Sequence, residues 1–187
     1  MVKLIGLAGS LRQGSFNASL LRAAVELAPA GVELSIDTIR GIPLYDGDVE
    51  AEGIPAPVAA LKDRIAAADG LLVVSPEYNN SLPGVMKNAV DWLSRPAADI
   101  ARVFGGKPVA MAGASPGGFG TILGQNAWLP VWRTLGAQAW SERLLVSRAG
   151  SVFGPDGTLT DPKVRESLRA FLAGYARFVE SAARPRP

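Results

Sequence analysis

Short apolar runs alternate with amphipathic stretches along the whole chain. The apolar runs are typical of β-strands and lie near residues 2–8, 32–38, 70–75, 108–114 and 139–147. The amphipathic stretches predict helices near residues 16–28, 56–68, 83–95, 119–135 and 162–182. Strands that alternate with helices in this way predict an α/β protein with a parallel sheet.

Two of the predicted strands, 71–74 and 109–112, are unbroken apolar runs, as expected for strands covered on both faces. Five strand–helix units fit a flavodoxin-like doubly wound fold, with a five-stranded parallel sheet in the order 2-1-3-4-5. We expect one domain over residues 1–183 and a frayed C-terminal tail over residues 184–187.

In a doubly wound sheet the ligand lies at the carboxyl ends of the strands, beside the point where the strand order reverses. The loops that follow the first, third and fourth predicted strands therefore meet at one edge. They are called the first loop (residues 9–17), the second loop (residues 75–83) and the third loop (residues 115–119).

The first loop contains two serines, one arginine and one asparagine immediately before a predicted helix, which is a favourable place for a phosphate. A P-loop is excluded because no lysine lies between Lys3 and Lys62, and the spacing of the glycines differs from the dinucleotide fingerprint. The composition of the loop suits a terminal phosphate monoester. An ordinary helix N-cap by Ser15, with Arg12 solvated, is the open alternative.

Two prolines bracket the second loop, and the third loop contains adjacent glycines. Pro76 predicts that the amides of the three following residues are free from the sheet and can meet the edge of a flat heterocycle. The open alternative is a surface loop with Tyr78 packed over it. In the third loop Ser115 and the amides of Gly117 and Gly118 are candidate donors, and a plain tight turn is the alternative.

The composition excludes several kinds of chemistry. The 187 residues, of which 48% are hydrophobic, include no cysteine and no histidine. Disulfides, thiol chemistry and thiolate metal sites are therefore excluded, as is imidazole in the role of base, acid or metal ligand. We expect no metal site and infer that any catalysis depends on a bound cofactor.

Charge and hydropathy limit the candidate partners. A net charge of +2 with scattered basic residues does not favour a nucleic-acid partner. The N-terminal apolar run is too short for a signal or membrane segment, so we predict a cytoplasmic protein without a membrane partner. Lys87 and Asp91 are interpreted as a solvated helix pair, and Trp128, Trp132 and Trp140 as core residues rather than a subunit interface.

The chain resembles the NAD(P)H-dependent FMN reductase family of flavodoxin-like fold, especially its quinone and chromate reductase branch. The resemblance covers nearly the whole sequence and depends on two paired motifs and two further segments. They are Gly-Ser-Leu-Arg at 9–12 with Gly-Ser-Phe-Asn at 14–17, Pro-Glu-Tyr-Asn at 76–79 with Ser81 and Pro-Gly at 83–84, Ile-Pro-Leu-Tyr-Asp at 42–46, and Lys-Asn-Ala-Val-Asp-Trp at 87–92.

The resemblance implies the following cofactor-binding residues. The FMN phosphate lies against Ser10, Arg12, Ser15 and Asn17, with Phe16 as a further contact. The edge of the flavin lies against Pro76, Glu77, Tyr78 and Asn79, and its pyrimidine side lies near Ser115, Gly117 and Gly118. The family can carry a larger aromatic residue where this chain has Asn80, so substrate preference is not transferred.

The resemblance also implies an activity. FMN takes hydride from NADH or NADPH and passes electrons by a ping-pong mechanism to a quinone or a similar small acceptor, such as chromate, free flavin, or an azo or nitro compound. The protons come from water or from the Tyr78 hydroxyl, which is the one candidate catalytic side chain, and a homodimer or homotetramer is expected. Two alternatives stay open: a flavodoxin-type electron carrier without its own NAD(P)H turnover, and a non-catalytic flavin-binding sensor.

Overall fold

A computed structural model describes residues 1–182 of the chain. The predicted tail at 184–187 lies outside these residues. Five strands form one all-parallel sheet in the order β2-β1-β3-β4-β5, which confirms the predicted topology. The strands are β1 (Val2–Ala8), β2 (Val32–Asp37), β3 (Gly70–Val74), β4 (Pro108–Ala114) and β5 (Gln138–Val146).

Residues 1–182 contain seven α-helices. They are α1 (Phe16–Glu26), α2 (Gly47–Glu52), α3 (Ala56–Ala67), α4 (Gly84–Leu93), α5 (Ile100–Val103), α6 (Ile122–Thr134) and α7 (Pro162–Ala182). The sequence pattern missed α2 and α5, which are short and contribute little to the periodic signal. The signal for α2 is its first turn, where Asp46 accepts a hydrogen bond from the backbone N–H of Asp48 at 2.9 Å.

The start of α6 differs from the prediction, which placed the helix at 119–135. Gly120 and Thr121 have positive φ angles of 57° and 70°. A left-handed pair cannot continue an α-helix, so α6 begins only at Ile122. The third loop is therefore longer than predicted, and its glycines stay outside the helix.

The sheet separates two hydrophobic clusters. One cluster lies between the sheet and helices α1 and α7, and the other lies between the sheet and helices α3 to α6. Every residue of β3 and β4 is buried, as the unbroken apolar runs predicted. Parallel pairing of all five strands places the carboxyl ends of β1, β3 and β4 side by side.

The tryptophans lie in the core, as interpreted from the sequence. Trp128 and Trp132 are fully buried and stack at 5.0 Å between ring centroids. Trp140 is half-buried against Phe171 and Tyr175 of α7. Within residues 1–182, no helix combines the length and the apolar character that crossing a bilayer requires.

Candidate functional site

The three loops surround a cavity of about 150 Å³ at the carboxyl edge of the sheet. Nine of the twelve predicted cofactor-binding residues line this cavity, and Asn79, Gly117 and Gly118 do not. The lining residues are Ser10, Arg12, Ser15, Phe16 and Asn17 of the first loop and the start of α1, Pro76, Glu77 and Tyr78 of the second loop, and Ala114, Ser115 and Pro116 at the end of β4.

Ser15 is the N-cap of α1. Its Oγ accepts a hydrogen bond from the backbone N–H of Ala18 at 3.3 Å, and its backbone is extended. An accepting hydroxyl still has its own hydrogen to donate, so capping does not prevent Ser15 from binding a ligand. The first turn of α1 contains no acidic residue that would offset the positive end of the helix dipole.

Arg12 is exposed, but its side chain lies over an aromatic ring. The guanidinium carbon is 5.6 Å from the centroid of the Phe16 ring, which stacks at 5.7 Å on Phe153. A guanidinium placed in this way at the rim of the cavity can meet an anion without a large rearrangement. Sequence reasoning missed Phe153, because its position far along the chain gives no local signal.

Asn17 differs from the predicted use of its side chain. Its amide Nδ2 donates to the carbonyl oxygen of Ala114 at 2.9 Å, and its Oδ1 accepts from the N–H of Ala114 at 2.9 Å. The side chain therefore joins the start of α1 to the end of β4, in a buried position. One N–H of the amide is left for a ligand.

The second loop contains a tight hairpin at residues 78–81. The N–H of Tyr78 donates to Ser81 O and the N–H of Ser81 donates to Tyr78 O, both at 3.0 Å. Asn79 and Asn80 between them have φ angles of 51° and 60°, as a type I′ turn requires. The prediction that the Tyr78 amide is free was wrong, because this turn uses it.

Two side chains of the second loop point in different directions from the hairpin. Tyr78 is 48% exposed and lines the cavity. The Glu77 carboxylate is directed at α6, where its Oε2 accepts from the backbone N–H of Gly124 at 2.8 Å.

The third loop is held by the segment that follows β5. The Ser115 N–H donates to Val146 O at 2.9 Å, so this amide is not a free donor. The N–H of Arg148 donates to Gly117 O at 2.9 Å, and that of Ala149 donates to Ser115 O at 3.0 Å. No neighbouring atom lies within 4 Å of a Cβ built on Gly117 or Gly118, so both face open space.

The segment 42–46 lies at the same end of the molecule and is tied to α4. The carbonyl oxygen of Pro43 accepts from the Asn88 amide at 2.8 Å and from the Trp92 indole at 3.0 Å. Asn88 also accepts from the N–H of Tyr45 at 2.8 Å. The sequence contained both segments, but only the fold shows that they bind each other. Also on α4, Lys87 and Asp91 form the predicted helix pair at 2.6 Å, and both side chains are partly exposed.

The electrostatic character of the cavity follows from these positions. Its phosphate side combines two serine hydroxyls, one guanidinium and the positive end of α1. Glu77 is the one carboxylate among the lining residues, and its Oε2 is occupied by a backbone amide. The donors therefore fit a terminal phosphate monoester such as that of FMN.

Comparisons with known proteins agree with this geometry. The sequence model of the NADPH-dependent FMN reductase family matches residues 2–150. The chain belongs to this family.

Several relatives are similar over nearly their full length. The chain is 41% identical over 179 residues to an NAD(P)H-dependent FMN reductase of Pseudomonas aeruginosa, covering 95% of each chain. It is 38% identical to a 2-hydroxy-1,4-benzoquinone reductase of a Burkholderia species, over 95% of this chain and 96% of that protein. The structure of the NAD(P)H:(acceptor) oxidoreductase FerB from Paracoccus denitrificans superposes with a TM-score of 0.87 at 32% identity, covering 97% of this chain and 99% of FerB.

Family membership confirms three expectations from the sequence. This FMN reductase family member is an oxidoreductase, its cofactor is FMN, and its electron donor is NADH or NADPH. The flavodoxin-like fold is confirmed as well. A bound flavin supplies hydride and electron transfer, so this chemistry does not require the histidine and cysteine that the chain lacks.

The two hydrogen bonds of Asn17 generate a prediction. Asn17→Ala should lower the free energy of unfolding by about 2–4 kcal/mol, because it leaves the N–H and C=O of Ala114 buried without partners. Urea denaturation of the apoprotein measures this change. Asn126→Ala is the matched control, since Asn126 makes one exposed hydrogen bond to Arg143. An Asn17→Ala protein as stable as the Asn126→Ala protein would contradict the bridging role.

Proposed function

We propose that this FMN reductase family member is an NAD(P)H:quinone oxidoreductase that holds FMN in the cavity and works by a ping-pong mechanism. The observation that carries the proposal is the convergence of the three loops on one cavity with phosphate-type donors on one side and the second loop on the other. Relatives named quinone reductase support a quinone as the acceptor.

The residues divide into two groups in this proposal. Ser10, Arg12 and Ser15 bind the FMN phosphate, and Asn17 holds the loop that carries them. The second and third loops bind the flavin ring, through residues 76–79 and through Ser115, Gly117 and Gly118. The open space over both glycines supports this part of the proposal, since backbone without side chains can approach a flat ring closely.

FMN, when bound, supplies the electron transfer, and the protein supplies position. The exposed side chain of Tyr78 is the candidate proton donor at the mouth of the cavity, and water can take its place. Chromate, free flavin, and azo or nitro compounds are further acceptors that the proposal includes. The cytoplasmic location stays a prediction from the sequence.

A steady-state assay tests the function. The purified protein with FMN and either NADH or NADPH should reduce a benzoquinone over many turnovers without a partner protein. Initial rates at several concentrations of both substrates should give parallel double-reciprocal lines, as a ping-pong mechanism requires. Tyr78→Phe should keep most of the activity, because the backbone of the hairpin is unchanged. Slow turnover that becomes fast only when a second protein is added would favour the electron carrier. No turnover under any of these conditions would favour the sensor.

Arg12 tests the phosphate assignment. Arg12→Ala should weaken FMN binding about tenfold or more, because it removes a charge-assisted hydrogen bond worth ~1.5–3 kcal/mol. Titration of the apoprotein, followed by quenching of flavin fluorescence, measures the affinity. The matched control is Arg22→Ala on α1, where Arg22 is exposed and donates to Ser19. Parent affinity in Arg12→Ala would place the phosphate elsewhere.

We also propose that the protein is a homodimer or a homotetramer. The support is a groove of about 370 Å³ between α4 and α6, whose apolar lining residues include Val90, Ile100 and Val131. A second copy would remove this surface from water. Light scattering at micromolar concentration should give at least twice the chain mass of 19.5 kDa. A species of the chain mass alone would overturn this part of the proposal.

A further inference from the structure

Helix α6 begins without a cap from its own sequence. Thr121 stands at the N-cap position, but its φ of 70° and ψ of 25° are left-handed, and its side chain makes no capping hydrogen bond. Its hydroxyl instead accepts from Nε2 of Gln125 at 3.1 Å. The N–H of Ile122 donates to Phe119 O at 3.3 Å, but the N–H of Gly124 needs an acceptor from elsewhere.

Glu77 supplies that acceptor from a different loop. Its Oε2 accepts from the N–H of Gly124, the third residue of α6, at 2.8 Å. A carboxylate at this end of a helix is stabilised both by the hydrogen bond and by the helix dipole. The two residues are 47 positions apart in the sequence, so the cap is a tertiary contact.

The hairpin is packed directly on the same turn of the helix. A Cβ built on Gly124 would lie 3.1 Å from Ser81 O and 3.2 Å from Cβ of Glu77. A side chain at residue 124 would therefore push the hairpin away by a few tenths of an ångström. Glu77 precedes the paired residues Tyr78 and Ser81, so the cap fixes the whole hairpin relative to α6.

We propose that Glu77 is a positioning residue. Its side chain caps α6 and so holds the backbone of residues 76–81, which include the hairpin, in the position that binds the flavin ring. Oε2 of the carboxylate is used by the Gly124 amide, so in this proposal the flavin contact belongs to the backbone of the loop rather than to this oxygen. This inference rests on the proposed function, in which the flavin lies against the second loop. The hairpin contains no other side-chain bond to α6 in the part of the chain that the structure describes.

The experiment compares three variants of the full chain. Glu77→Ala removes the cap, Glu77→Gln keeps an oxygen that can accept from Gly124, and Asp161→Ala removes the cap of α7 away from the cavity. Asp161 is a matched control because its Oδ1 accepts from the N–H groups of Lys163 and Val164, both at 2.9 Å. Thermal unfolding of each apoprotein reports the cost to stability, and fluorescence titration reports the dissociation constant of FMN.

We expect Glu77→Ala and Asp161→Ala both to unfold at lower temperature than the parent protein. Only Glu77→Ala should bind FMN more weakly, by about tenfold, because a hairpin without its hydrogen bond to α6 leaves the binding position in the free protein, and the dissociation constant rises as the competent fraction falls. Glu77→Gln should bind FMN within about threefold of the parent, because a neutral amide oxygen keeps most of a capping bond. Rescue by glutamine separates positioning of the loop from a need for the negative charge.

Two results would overturn the inference. Equal FMN affinity in Glu77→Ala and Asp161→Ala would mean that the cap contributes only to stability. A Glu77→Gln protein that binds FMN as weakly as Glu77→Ala would mean that the negative charge acts directly.

Should Glu77→Ala not fold, Gly124→Ala decides the question. It keeps the carboxylate but displaces the hairpin, and it should also weaken FMN binding. A parent protein that binds no FMN would contradict the proposed function instead, independently of the variants.

Discussion

Parallel pairing of the five strands is the constraint on which the rest of the structure depends. After each strand the chain must return to the amino end of the sheet before the next strand begins, so every connection crosses a face of the sheet. Every loop that follows a strand therefore leaves from the carboxyl edge. Three polar loops that are far apart in the sequence thus meet around one cavity. The buried strands β3 and β4 keep this edge rigid, because both of their faces are packed.

Single side chains then join the loops that the sheet brings together. Asn17 connects the start of α1 to the end of β4, and Glu77 connects the second loop to the start of α6. Arg40 donates to Leu11 O at 2.6 Å and connects the loop after β2 to the first loop. Each of these side chains forms a hydrogen bond with a backbone group, so it fixes the path of the backbone in the loop and not only the orientation of another side chain.

This division of labour suits a flavoenzyme without histidine or cysteine. The cofactor supplies reactivity, and the protein must supply a fixed position for it and open access for a nicotinamide and an acceptor. In the proposed arrangement, hydroxyls and one guanidinium bind the phosphate, and the second and third loops meet the flavin ring. A half-exposed Tyr78 and the two open glycines are consistent with a site that admits substrates of different shapes.

The sequence by itself predicted the strand–helix alternation and the polar loops, because apolar runs and polar loops are local features. The order of the sheet and the nine predicted residues that line the cavity followed from the match to a flavodoxin-like layout and from the family resemblance. The sequence also indicated Ser15 and Arg12 as phosphate ligands and the second loop as a contact for a flat ring, since hydroxyl, guanidinium and free amide groups are the donors that such ligands need. Only the tertiary structure decided that Asn17 bonds to Ala114, that the Tyr78 amide is used in a hairpin, and that Glu77 caps α6. Each of these contacts joins a backbone group to a partner whose position depends on the folded chain. A pattern of residue types along the sequence does not give the distance between two such groups.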